Sequence, residues 1–132
     1  MENKRAEAAI EYKHNGYNCA QAVLMAHSDI LNTDKELLNN IGAGFGSGMG
    51  GMKGTCGALC GAVVAAGILT NGEQTKLITK KVLDNFEQKC GATICKDLKG
   101  IETGKMLCSC DDCVKNAVIA LSEELVFEKA LN

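Results

Sequence analysis

The chain has no tryptophan and no proline, only two tyrosines and three phenylalanines, and a net charge of −2 over 132 residues. Without a basic field or aromatic platforms it lacks both the electrostatic footprint and the stacking surface of a nucleic-acid binder, so no nucleic-acid partner is expected. The cluster Lys76, Lys80 and Lys81 has Glu73 and Asp84 beside it and reads as a solvated helix face. The charged start MENKRAEAAIEYKHNG has no apolar run of the kind a secretory signal needs, and a cytoplasmic protein is expected. Residues 54–72 carry no charge and reach the length of a membrane span. Their apolar centre, 62–69, is short and has neither an aromatic belt nor a flanking basic cluster, so the stretch reads as a buried helix rather than a span. Period-2 alternation, internal repeats and low-complexity tails are also missing, which leaves no basis for a sheet.

What is present is helical periodicity. Residues 2–13 place Ala6, Ala9, Ile10 and Lys13 on one side and stop at His14-Asn15-Gly16. Residues 19–28 follow Asn18, a cap with Gln21 three positions on, close to a capping box. Residues 34–45 carry the stripe Leu37, Leu38, Ile41 behind Thr33 as cap. Residues 56–69, capped by Thr55 and ended by Asn71-Gly72, are apolar on every face and should form the hub of the fold. In 73–89, Ile78, Val82, Phe86 and then Cys90 step by four. A short turn at 95–98 ends at Gly100. A last helix carries Cys110, Cys113, Val114, Ala117, Val118, Leu121 and Leu125 on one face, with Ser109 and Asp112 as its capping box. The expectation is an all-α fold: one cysteine-rich domain over 1–132, a bundle of about five or six helices, with a glycine-rich loop before the buried central helix.

That loop, GAGFGSGMGGMKG at 42–54, satisfies G-x-G-x-x-G at Gly46, Gly48 and Gly51. A dinucleotide site would also need a preceding strand and a later ribose-binding acid, and Lys53 does not complete a phosphate loop, so no nucleotide is expected. The expected role is conformational, letting backbone approach a sulfur site closely or a lid move over it. Met49 and Met52 read as packing residues, and His14 and His27 as solvent or capping groups. An exposed Gly57-x-x-x-Gly61 face would let another helix approach.

The chain does have eight cysteines. In a cytosolic setting, clustered thiols point to metal binding or redox chemistry rather than a disulfide framework. Cys19, Cys56, Cys95 and either Cys110 or Cys113 fall at helix starts, where unpaired N–H groups and the positive dipole end favour thiolate. Convergence of these N-termini would make a pocket for a four-cysteine zinc or a 2Fe–2S cluster, or would activate the thiols for disulfide exchange; the sequence leaves both open. The spacing fits neither a zinc ribbon nor a ferredoxin run. Cys60 and Cys90 read as packing residues, and Cys108 lies too close to Cys110 to chelate comfortably beside the Cys110–Cys113 pair.

Cys56-Gly57-Ala58-Leu59-Cys60-Gly61 resembles the signature of the C_GCAxxG_C_C family, which is named for an expected redox activity. Asn18-Cys19-Ala20-Gln21 resembles the family's first cysteine, Cys95 the third, and Cys113, followed by an amphipathic helix, the fourth. The resemblance implies a redox-active protein in which Cys19, Cys56, Cys95 and Cys113 form a shared site, with Cys110 as substitute or helper for Cys113. It also implies a functional link to a transporter, with the redox partner unidentified. The expected cofactor is an Fe–S cluster or zinc serving electron transfer or sensing. The alternatives are a metal-free thiol–disulfide oxidoreductase using the same cysteines and a non-catalytic transporter accessory.

Overall fold

Helical periodicity along the sequence becomes eight α-helices among the described residues: α1 (Lys4–His14), α2 (Cys19–Ala26), α3 (Ser28–Leu31), α4 (Lys35–Gly42), α5 (Gly57–Thr70), α6 (Thr75–Cys90), α7 (Cys95–Lys99) and α8 (Cys110–Leu131). The computed structural model describes residues 3–131, with side-chain surroundings as far as residue 125; Glu2, expected to open the first helix, lies outside this range. No strand forms among these residues, and the fold is an all-α single domain. None of the described helices is long and apolar enough to cross a membrane.

Local chemistry sets the ends. Asn18 caps α2 through a complete box: its side chain accepts from the Gln21 N–H at 2.8 Å, and its own N–H donates to Gln21 Oε1 at 2.9 Å. Ser109 Oγ accepts from the Asp112 N–H at 3.1 Å at the head of α8. Two expected caps are displaced. Asp34, not Thr33, accepts from the Leu37 N–H at 3.3 Å, while Thr33 turns its hydroxyl to the Leu31 carbonyl. Cys56 takes the cap position of α5, because Thr55 is held in an isolated antiparallel bridge with Ile94. The helix expected over 34–45 stops at Gly42 and tightens into a short turn at Ala43–Phe45. Of its stripe only Leu38 is buried, while Leu37 and Ile41 face outward.

Helix α5 is the hub: none of its residues is exposed, and it packs against α2, α6 and α8. Gly57 and Gly61 face α2 of the same chain rather than an open surface. A β-carbon on Gly61 would stand 2.8 Å from the Ala20 carbonyl oxygen and 3.1 Å from Val23 Cβ. The α6 stripe Ile78, Val82, Phe86, Cys90 is buried throughout, against Cys113, Val114, Ala117, Val118 and Leu121 of α8. Phe86 alone, fully buried, contributes roughly 1.5–3 kcal/mol of transfer free energy. His27 does sit at the C-cap of α2, as a capping histidine would, but it is 2% exposed, with Nδ1 2.7 Å from the Val23 carbonyl oxygen. The glycine-rich segment is not an open loop. Ser47, Gly48, Met49, Gly50 and Met52 have positive φ, and the chain winds through a wide turn at Gly48–Met52.

Candidate metal centre

The structure brings helix beginnings toward one end of the bundle. Cys19, Cys95 and Cys110 are the first residues of α2, α7 and α8, Cys56 is the N-cap of α5, and Cys113 lies one turn inside α8. The Thr55–Ile94 bridge does much of the alignment. The Cys56 N–H donates to the Thr93 carbonyl at 2.8 Å, and the Cys95 N–H to the Gly54 carbonyl at 3.0 Å. Because side chains alternate across an extended pair, Cys56 and Cys95 project from the same face, diagonal to one another. Gly48 makes room beside them: at φ +58°, a β-carbon there would meet Cys95 Cβ at 2.5 Å.

The tightest group is one the sequence does not announce. The sulfurs of Cys90, Cys108 and Cys113 all lie within 4.8 Å of one another, and all three residues are buried. Cys90 arrives as the last residue of the α6 stripe. Cys108 is fixed because the N–H groups of Leu107 and Cys108 both donate to the Leu98 carbonyl, at 2.9 and 3.2 Å. Cys113 lies on the core face of α8. Of the four expected residues only Cys113 belongs to this triad, with Cys56 hydrogen-bonded to it. Cys19 and Cys95 lie around Cys56, close enough for their charges to repel. Cys108, not Cys110, joins Cys113, and Cys110 instead faces Cys19 and Cys95. The available signal was Cys90's place in the stripe, which puts it on the face that meets Cys113.

The electrostatics are uneven. The Cys113 thiol bonded to Cys56 is the largest influence holding Cys56 down to about 7 against burial, and the Ala58 and Leu59 amides help without completing a formal cap bond. Cys90 is lowered to about 6, again chiefly by Cys113, with the Asn116 amide donating to its sulfur at 3.3 Å. Cys113 itself is driven far upward by those same hydrogen bonds to Cys56 and Cys90 and by burial. Burial raises Cys19 to about 12, with repulsion from Cys110 and Cys56, and raises Cys108 to about 11. Burial also raises Cys95 and Cys60. The thiol of Cys113, with the α5 amides behind it, therefore favours thiolate at Cys56, while at Cys19 and Cys95 the loss of water prevails. Lys99 reaches in from α7, its Nζ 3.1 Å from the Cys108 carbonyl oxygen and 3.9 Å from Cys113 Sγ. Desolvation pulls its pKa down, but Cys113, Cys110 and Cys56 together more than reverse this, and it stays charged.

Such a donor set suits a soft cation. Tetrahedral zinc, with Zn–S bonds of about 2.3 Å, sets sulfurs about 3.8 Å apart, so the triad closes on an ion with at most about 1 Å of contraction. Coordination would deprotonate the remaining thiols and neutralise sulfurs that otherwise repel.

The family model described as putative redox-active protein (C_GCAxxG_C_C) matches residues 17–124. The chain belongs to this family. No curated protein and no solved structure matches it. For this C_GCAxxG_C_C member, the structure gives the hexapeptide a physical meaning. Cys56 points into the sulfur pocket, Gly61 lets α2 approach, and Gly57 admits the Phe45 carbonyl: a β-carbon on Gly57 would meet that oxygen at 2.8 Å and Cys19 Cβ at an ordinary 3.5 Å. Cys60, between them, turns away to the Thr55 carbonyl at 3.9 Å.

Proposed function

We propose that this C_GCAxxG_C_C protein uses its buried sulfur pocket to hold a metal ion or an Fe–S cluster for electron transfer or sensing in the cytoplasm. Cys90, Cys108 and Cys113 anchor the group together with Cys56, and Cys19 and Cys95 close its rim. The observation that carries this reading is the mutual approach of three buried sulfurs within 4.8 Å, with Cys56 against Cys113. Helix-start N–H groups around the pocket favour a negative, sulfur-rich core, and a cluster or zinc relieves the thiolate crowding. The test is anaerobic purification with elemental analysis and a visible spectrum. Stoichiometric iron with sulfide, or zinc, retained by Cys60→Ala and lost on Cys113→Ser, is the expected result. A metal-free protein with eight titratable thiols would refute it.

A second reading has its own support. Cys56, near pKa 7, lies against the protonated Cys113, and a thiolate beside a thiol is the arrangement disulfide exchange needs. On that reading the Cys56 thiolate and the Cys113 thiol would join as a disulfide, passing two electrons and one proton to an oxidised partner disulfide, which takes its second proton from solvent. Mass spectrometry after controlled oxidation of metal-free protein distinguishes it by a reversible Cys56–Cys113 linkage.

A further inference from the structure

The sulfurs of Cys90, Cys108 and Cys113 make a donor set of three. All lie within 4.8 Å of one another, and among the described residues no imidazole, carboxylate or further thiol joins them at that range. Cys56 meets the set at Cys113 and stays outside it. The three residues are 4%, 7% and 0% exposed, which closes the set to bulk water. Each sulfur comes from a different part of the chain, and each is fixed there. Cys90 ends the buried α6 stripe and accepts from the Asn116 amide at 3.3 Å. Cys108 is held by the two N–H bonds to the Leu98 carbonyl, and Cys113 by the first turn of α8. The Cys108 carbonyl oxygen, 3.9 Å from Cys113 Sγ, is already taken by the Lys99 ammonium at 3.1 Å.

Zinc is held by four protein ligands in closed sites, or by three with water in the fourth position. Three buried sulfurs offer neither arrangement. Sulfur donors without nitrogen or oxygen select Cu(I), zinc or an iron–sulfur cluster, and of these Cu(I) is the one satisfied by three. With a metal–sulfur bond of about 2.3 Å, as zinc makes, a flat three-coordinate ion sets its sulfurs about 4.0 Å apart. The triad then needs at most about 0.8 Å of contraction and no fourth ligand. We propose that Cys90, Cys108 and Cys113 form a three-coordinate thiolate site for a soft monovalent cation of the Cu(I) class, with Cys56 outside the coordination sphere. The proposal rests on the metal reading above and fixes the class of ion and its ligand set. One positive charge against three thiolates leaves two negative charges, as zinc with four thiolates would. The Lys99 ammonium, 3.9 Å from Cys113 Sγ, offsets part of that charge, and the Asn116 amide supports the thiolate of Cys90 from the outer shell. Binding involves no electron transfer: the ion enters as Cu(I), and each protonated thiol gives its proton to buffer as its copper–sulfur bond forms.

The test is anaerobic titration of the reduced full-length chain with Cu(I) against bicinchoninate, a competing chelator that keeps weaker thiol sites empty. Native mass spectrometry and copper X-ray absorption read the result. The expected outcome is one Cu(I) per chain with three sulfur neighbours, retained in excess zinc. Cys108→Ser should weaken binding by more than about 100-fold, beyond the loss of an outer-shell partner, and Cys56→Ser by no more than about tenfold. If either variant does not fold, the sulfur count of the wild-type site decides alone. Two or four sulfurs around the copper, equal losses in the two variants, or capture of zinc in place of copper would overturn the proposal and leave the metal reading standing. A chain that holds neither copper, zinc nor iron would overturn both.

Discussion

Changing Gly61 to alanine sets two effects of opposite sign against each other inside one helix. Helix propensity alone favours the change by about 1 kcal/mol, since glycine in a helix interior carries excess unfolded-state entropy. Packing opposes it. The new methyl would stand 2.8 Å from the Ala20 carbonyl oxygen, 3.1 Å from Val23 Cβ and 3.2 Å from Ala20 Cα. Two of these three are backbone atoms of α2, so relief requires moving that helix, and overpacking of this kind costs roughly 1–3 kcal/mol. Packing should win by up to about 2 kcal/mol, since no flexible side chain can absorb the contact. Gly67, two turns along the same helix, is the control: a β-carbon there meets only Thr75 Cγ2, at an ordinary 3.8 Å. Gly67→Ala should therefore stabilise by up to about 1 kcal/mol. At about 4 °C per kcal/mol for a domain of this size, the two variants should melt roughly 4–12 °C apart. Thermal unfolding by circular dichroism of reduced, metal-free protein measures this directly. If Gly61→Ala were stabilised as much as Gly67→Ala, the claim that Gly61 is there to admit α2 would be wrong.

The unusual thiol ionisations predict a humped stability profile for the reduced, chelated protein. Cys56 and Cys90 ionise below the ordinary thiol value of 9.0, so their contribution is full above 9 and is lost as pH falls through about 7 and about 6. Cys19, Cys60, Cys95, Cys108 and Cys113 are shifted upward, so theirs is full below 9 and is lost as pH rises beyond it. Urea midpoints should peak between roughly pH 7 and 9, and a steady fall from pH 6 upward would contradict the assignment. Lys99→Met, which removes the ammonium beside Cys113, should lower metal affinity by about tenfold, as loss of an outer-shell partner commonly does. Lys96→Met, which breaks only an exposed pair with Glu102, should leave affinity unchanged in the same competition assay, and equal losses in both would argue against a specific role for Lys99.

Where local chemistry decides, the sequence and the structure agree closely. The Asn18–Gln21 box, the Ile78-Val82-Phe86-Cys90 stripe and the uncharged run of α5 each depend on neighbours within a turn or two. Disagreement appears where a distant segment intervenes. Thr55 is a good cap by composition, but Ile94 claims its backbone, and the cap position passes to Cys56. The Gly57–Gly61 face looks free in sequence because the helix that fills it, α2, lies some forty residues earlier.

The cysteines follow the same division. That helices begin at Cys19, Cys95 and Cys110 was legible, because caps and periodicity are local. Which sulfurs touch was not: the triad joins the end of α6, a loop pinned to Leu98 and the first turn of α8, three places with no common local signal. Nor could the helix-start rule rank the thiols. A helix N-terminus supplies a fixed, modest stabilisation of thiolate, whereas burial and neighbouring sulfurs depend on the whole fold and vary from site to site. At Cys56 an adjacent thiol offers its proton and the helix effect adds to it; at Cys19 two other sulfurs and the loss of water oppose it. Repetition of the same local device at several cysteines therefore does not make them equivalent nucleophiles. It assembles sulfurs of unequal charge around one pocket, and a bound cation is what would make them alike.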